Sequence, residues 1–515
     1  MVKVDSFAIH MAVPDKMEVC MKTFLFRSPF RASLVVTLLC GAIGMALATV
    51  QATVAEHVVL PNLFLFPNSS GILQTYNTNG NVDLMGPFFQ SLGTNGRSCS
   101  SCHLPDQGWS IAADRVRARF RLTQGLDPIF RTNDGSNCDH HVDVSTLEGR
   151  RRAYSLLTSR GLIRVAIKVP ENAEFEVLYV NNPYGCTEAD VISVYRRPLP
   201  STNLRFLSAV MSDGRESSAQ TGTEKISYEE ENPGTILLQD LAHQIVDATL
   251  GHAEAAAPPT VEQQRQILDF EIGLFTSQAF DFKAGALYGY PAEGATAGPV
   301  SLAGERFFVG INDPVDALGL NRPDLGFNPF HNGFTPAIFT LFDNWADLRP
   351  TSAVNRARAS IARGQGIFNS KTINISGVAG LNDELRASVI PGTCGICHDA
   401  PNVGNHSFPT PLNIGVGDLT SPLDLQYLPV ITVRDKMTGQ IVQTTDPGRA
   451  LITGKWNDIG KVKGPILRGL ASRAPYFHNG SATTLLDVVE FYDKRFGIGF
   501  TAQEKVDLVA FLSAL

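Results

Sequence analysis

Two Cys-x-x-Cys-His pentapeptides carry the chemistry of this chain: Cys99-Ser-Ser-Cys102-His103 and Cys394-Gly-Ile-Cys397-His398. Two thiols at this spacing reach both vinyl groups of one porphyrin, and the histidine that follows is placed under the iron as proximal ligand. A thioredoxin-like dithiol or half of a zinc site would account for the cysteines but not for the histidine after each pair. The motifs therefore predict two covalently bound haem c groups and a redox protein. Of the remaining cysteines, Cys20 and Cys40 fall in the N-terminal leader, which leaves Cys138 and Cys186. These two form a disulfide in an oxidising compartment or stay as buried thiols; spacing does not choose.

The leader has the order of a secretory signal peptide. Lys22, Arg27 and Arg31 precede an uncharged apolar run from Leu34 to Val50, and small residues follow at Ala48, Ala52 and Ala55. Residues 1–55 are expected to be removed and the protein to be periplasmic, which suits covalent haem attachment. An uncleaved membrane anchor is the alternative, since the run approaches spanning length. The formal net charge is −7 and only 18% of residues are charged. The densest basic cluster, Arg150-Arg151-Arg152, reads as a solvated face, so nothing suggests nucleic acid.

The elements that must position the motifs read as mostly helical. Apolar periodicity predicts helices over 236–250, 261–275, 485–492 and 502–515, and alternation over 165–180 predicts a short hairpin. Pro- and Gly-rich stretches at 291–304 and 321–333 read as loops. Gly86-Pro87-Phe88-Phe89 stands before the first motif and Arg363-Gly364-Gln365-Gly366-Ile367-Phe368 before the second, a weak internal repeat. The expectation is a mainly α fold with long loops. It has an N-terminal cytochrome c-like domain (56–260), an inserted connecting region (261–350) and a C-terminal cytochrome c-like domain (351–515).

Further residues carry a resemblance. The second half contains Asp446-Pro-Gly-Arg449, Gly464-Pro465-Ile-Leu467-Arg468, Ala474-Pro475-Tyr476-Phe477-His478-Asn479-Gly480 and Val488-Val489-Glu490-Phe491-Tyr492. The first half contains Met211-Ser212-Asp213-Gly214-Arg215-Glu216 and Leu241-Ala-His-Gln244. Together these resemble the bacterial di-haem cytochrome c peroxidases and their MauG-like relatives over most of 85–515. The resemblance implies a peroxide-reactive haem on His103 and an electron-transfer haem on His398. Hydrogen peroxide would be reduced with electrons from a small donor protein such as a cytochrome c or a cupredoxin, in a chain that can form a homodimer. Alternatives are a MauG-like oxidase or oxygenase acting on a protein or organic substrate, and a non-catalytic electron-transfer cytochrome.

The resemblance also nominates site residues. Gln244, His252 and Glu254 form the expected distal set of the first haem, with His140, His141 and His243 as competing histidines. Tyr492 matches the axial position of the second haem, where MauG-like proteins carry Tyr. A phenolate there lowers the reduction potential, whereas Met raises it. A Tyr in an apolar core is the plainer reading. Met437, His406 and His478 are the other candidates. Two departures stand out. Ser212 replaces the family's inter-haem Trp, with Trp109 and Trp456 the aromatics nearest in sequence, and Arg152 stands where an Asn serves the family's calcium site, which puts calcium in doubt.

Overall fold

Alternating β-branched residues draw more of the chain into strands than a helical reading allows. The computed structural model describes residues 58–138, 142–186, 191–219, 226, 234–317, 333–408 and 410–515. The expected signal peptide, His140, His141 and nearly all of the expected 321–333 loop lie outside them. Residues His57–Leu515 cluster as one compact unit. Five small antiparallel sheets stand beside the helices, so the expectation of a mainly α fold is corrected to a mixed one.

The strands that matter here are β1 (Gly71–Asn77), β2 (Ile163–Lys168), β3 (Phe175–Asn181), β4 (Val191–Arg196), β5 (Leu274–Asp281) and β6 (Val430–Asp435). The expected hairpin does not form. β2 pairs with β4, from Ile163↔Arg196 to Lys168↔Val191, while β3 pairs with β6 far along the chain. Alternation marks a half-buried strand but does not name its partner, and β3 finds more apolar surface against Ile431 and Val433. β1 pairs with β5, placing Thr75 opposite Thr276.

The four predicted helices are present as α1 (Thr235–Gly251), α2 (Val261–Ile272), α4 (Leu485–Phe496) and α5 (Ala502–Ser513), and a further long helix, α3 (Ala353–Ser370), precedes the second motif. Capping boxes at Thr260/Gln263, Thr484/Asp487 and Thr501/Glu504 satisfy the first amides of α2, α4 and α5. α2 is shorter than its periodicity suggests, because the apolar run from Leu274 continues as strand β5. α3 and α5 cross closely at Gly364, where a Cβ would stand 2.0 Å from the Asp507 carbonyl oxygen. None of the helices among the described residues is long and apolar enough to cross a membrane.

One buried ion triple joins the two halves. Arg196, at the end of β4, donates from Nε and Nη2 to Asp446 at 2.7 and 2.9 Å, and its Nη1 pairs with Asp213. The three side chains are 4%, 3% and 0% exposed. Burial alone would raise the Asp213 carboxyl, but Arg196 and Arg215 outweigh it and hold the group at about 2. Arg449 completes the joint by donating to the Asp213 carbonyl at 3.0 Å. Elsewhere Cys138 and Cys186 form a disulfide that closes a separation of 48 residues.

Three outcomes are expected. Replacing both Cys138 and Cys186 by Ser should lower the unfolding free energy by about 2–4 kcal/mol in denaturant titrations, because the open chain gains loop entropy. The Asp213 contribution, on the order of 2 kcal/mol, is present above about pH 4 and lost as pH falls towards 2, because the folded pKa lies below the unfolded one. Arg196→Gln leaves two buried carboxylates short of a partner and should cost about 3–5 kcal/mol at pH 7, read from the same titrations.

Candidate functional site

Both pentapeptides fold into the same short device. Cys99–Ser101 and Cys394–Ile396 are single 3-10 turns, and the histidine amide of each motif bonds the carbonyl of its first cysteine at 3.0 Å. Each imidazole then places Nδ1 on a carbonyl six residues on: His103 on Trp109 at 3.0 Å and His398 on Gly404 at 3.2 Å. A carbonyl only accepts, so Nδ1 carries the proton and Nε2 is left as the ligating nitrogen. Burial pushes both histidines down to about 4, which keeps them neutral.

The sheet explains why Trp109 can serve. Its indole Nε1 donates to Thr75 Oγ1 at 2.9 Å, and Thr75 in turn meets Thr276 across the β1–β5 pair. Phe88 and Phe270 pack edge-on and tilted around the ring. The indole is thereby fully buried and its carbonyl fixed beneath His103.

The cysteines behave unlike a redox dithiol. Burial raises the Cys99, Cys394 and Cys397 thiols to about 12, whereas a reactive Cys-x-x-Cys pair is depressed. Among the described residues, the only cluster of three His, Cys, Asp or Glu donors close enough to share an ion lies away from both motifs, which argues against zinc there.

Each motif opens on its own cavity, and the two cavities share a wall of Arg197, Pro198, Leu199, Pro200, Ser212, Lys463, Pro465 and Arg473. The wall is strongly cationic. Arg197 donates to the Ile111 and Arg473 carbonyls and Arg473 to those of Ile466 and Arg468, yet both Nε groups are buried without a partner. Burial pushes Arg197 down to about 9, Arg473 to about 10 and Lys463 to about 8. Such a wall fits the propionates of a haem, and the remaining lining is largely apolar. Two thiols, a neutral imidazole with free Nε2, apolar walls and an anion-seeking edge therefore fit c-type haem at each motif.

With that geometry in view, the comparisons are informative. No family model matches the chain. Cytochrome-c peroxidase IdrP1 of Pseudomonas sp. (strain SCT) is 42% identical over 81 residues, covering 14% of this chain and 21% of that protein. Cytochrome-c peroxidases IdrP1 and IdrP2 of Denitromonas iodatirespirans are 33% identical over 142 residues and 35% over 134, each covering 24% of this chain and 36% of the relative. Over these segments the chain is similar to cytochrome c peroxidases. It spans 21% to 36% of the length of these curated relatives.

The three residues expected at the distal side of the first haem divide. Gln244 and His252 line the first cavity. His252 Nδ1 is held by Asp134, which is itself paired with Arg97. Glu254 is turned elsewhere: its Oε2 accepts from Asn95 at 3.0 Å, its carbonyl accepts from Thr94, and it does not line the cavity. His243 faces away, bonded to Glu216. Sequence reasoning did not nominate Asp134, Arg97 or Glu271, all of which line the first cavity. Glu271 is buried with Oε2 unpartnered, and burial pushes it up to about 7.

At the second cavity Tyr492, His406 and His478 all contribute to the lining. Burial raises the Tyr492 hydroxyl far above its ordinary value, with the Cys397 and Cys394 thiols adding to it. Its ring packs against Phe477 and stacks on Phe496. His406 is centred 6.1 Å from His398, and His478 stands 3.7 Å from Asp446. Met437 is 91% exposed in a surface turn and does not face the cavity. Ser212 occupies the shared wall where the family places Trp, while Trp456 lines neither cavity and Arg152 makes a surface pair with Glu148.

Mass spectrometry of the denatured mature protein should find two attached haems. Changing Cys99 and Cys102 to Ala should remove one, and changing Cys394 and Cys397 the other. A chain with no haem mass contradicts the assignment.

Proposed function

We propose that the chain is an exported di-haem c peroxidase that reduces hydrogen peroxide with electrons from a small redox donor. The carrying observation is the pair of adjoining cavities, each headed by a Cys-x-x-Cys-His motif with an anchored proximal histidine. Haem iron, when bound, supplies the redox chemistry: hydrogen peroxide takes two electrons and two protons to give two waters.

The first cavity is the reactive one in this proposal. It holds the only histidine among the described residues that both lines that cavity opposite Gln244 and has its Nδ1 oriented by a buried carboxylate. Asp134 orients the imidazole so that Nε2 can take a proton from one peroxide oxygen and return it to the other. Gln244 adds a neutral hydrogen-bonding side chain to the same space. The second cavity, walled by aromatic and apolar groups, suits electron relay to the first across the Pro198–Pro200 and Ser212 wall. The N-terminal haem domain (56–260), connecting region and C-terminal haem domain (351–515) follow from that division, as does a periplasmic location from the leader.

Tyr492 favours a second reading. A tyrosinate ligand to the second haem would hold it at low potential, as a MauG-like oxidase acting on a protein or organic substrate requires. The tests separate the readings. In stopped-flow mixing with hydrogen peroxide, His252→Ala should slow the reaction of the two-haem protein by about 10²-fold or more, whereas Glu254→Gln should stay within about threefold. Equal effects, or none, would remove His252 from its role, and an unreactive wild-type protein with two low-spin haems would make it a carrier. Tyr492→Phe should alter the low-spin EPR signal of the second haem. An unchanged signal would leave Tyr492 as a core residue and return the reading to the simple peroxidase.

A further inference from the structure

Outside both cavities, the helix that carries Gln244 presents a second kind of chemistry on its outer face. His243 and Asp247 lie one turn apart on α1, and the short helix Arg215–Ala219 brings Glu216 against them. One donor atom from each lies within 4.8 Å of the other two. Glu216 is not an ordinary surface acid, for its side chain is 3% exposed and its Oε2 meets His243 Nδ1 at 2.6 Å. Its other oxygen has Arg215 Nε at 3.8 Å, beyond hydrogen-bond range. Asp240, one turn before His243, buries another carboxyl beside the group.

We propose that Glu216, His243 and Asp247 bind a divalent cation of the borderline class, with Zn²⁺ as the reference ion. One imidazole with two carboxylates is a donor set that suits zinc-like ions better than calcium, which prefers oxygen alone. Donors about 2.0–2.2 Å from a tetrahedral ion stand roughly 3.3 Å apart, so the Glu216–His243 pair opens by less than about 1 Å as the ion replaces the shared proton. His243 and Asp247 are exposed, which leaves a fourth position to water and gives the ion an entry path. The site is coupled to the reactive cavity without being part of it. Gln244 and Arg215, each next in sequence to a ligand, both line that cavity. A bound ion would clamp α1 to the segment that leads back to Asp213.

The test uses untagged two-haem protein stripped with a chelator and titrated with Zn²⁺ by calorimetry, with bound zinc counted by plasma mass spectrometry. One equivalent is expected, with affinity at least about 100-fold lower in His243→Ala and about 10-fold lower or more in Asp247→Asn. Both residues are exposed, so these variants keep the fold, which the haem spectrum and melting temperature check. Ca²⁺ should bind at least about 100-fold more weakly than Zn²⁺. No zinc binding by the wild-type protein, unchanged affinity in both variants, or calcium binding as tight as zinc would overturn the proposal.

Discussion

The architecture depends on a charge taken out of water. Arg196 sits at the end of a strand with both of its counter-charges, Asp213 and Asp446, drawn from opposite halves of the chain. A buried guanidinium is tolerable only when its hydrogen-bonding fork is filled, and a bidentate carboxylate on one side with a second carboxylate on the other fills it. This demand registers the two halves against each other. Asp213 belongs to the Met211–Glu216 segment that walls the first cavity, and Asp446 opens the segment that reaches Arg449 and, through His478, the second. Arg197, the next residue, donates its amide to the His478 carbonyl at 2.7 Å and lends its side chain to the shared wall.

That wall shows why a haem protein of this kind looks frustrated without its cofactor. Three cations crowd into it, and burial lowers all of them, an effect that Asp114 offsets only in part at Arg197. The same feature that is costly in the bare polypeptide becomes a binding device once anionic groups lie along the edge of each cavity. Ser212 matters for a related reason. At this position in the shared wall the chain offers a small hydroxyl rather than an indole, with Pro198, Leu199 and Pro200 in the same wall.

The first cavity also illustrates how a carboxylate changes the meaning of a histidine. His252 and His243 sit nine residues apart on and just beyond one helix, and both are paired with an acid. Helical geometry turns them to different sides, so that one joins Gln244 at the first cavity while the other lies on the outer face with Asp247, against the buried Glu216. The pairing is chemically alike in both places; only the surroundings separate the proton-transfer role proposed for one from the cation binding proposed for the other.

The sequence alone determined the two Cys-x-x-Cys-His turns, because two thiols and a histidine at fixed short spacing need only one local turn to come together. It also determined amphipathic helices such as α2, α4 and α5, whose periodicity and capping residues are local signals. It did not determine the fold class, since short strands such as β3 declare their alternation but take partners hundreds of residues away. Nor did it separate Glu254 from His252, because a ten-residue step from Gln244 runs off the helix into a turn with Glu254 at φ +52°, which swings the carboxylate towards Asn95. Asp134, Arg97 and Glu271 carry no motif at all. Their roles arise from burial beside a cavity, and burial is a property of the assembled structure.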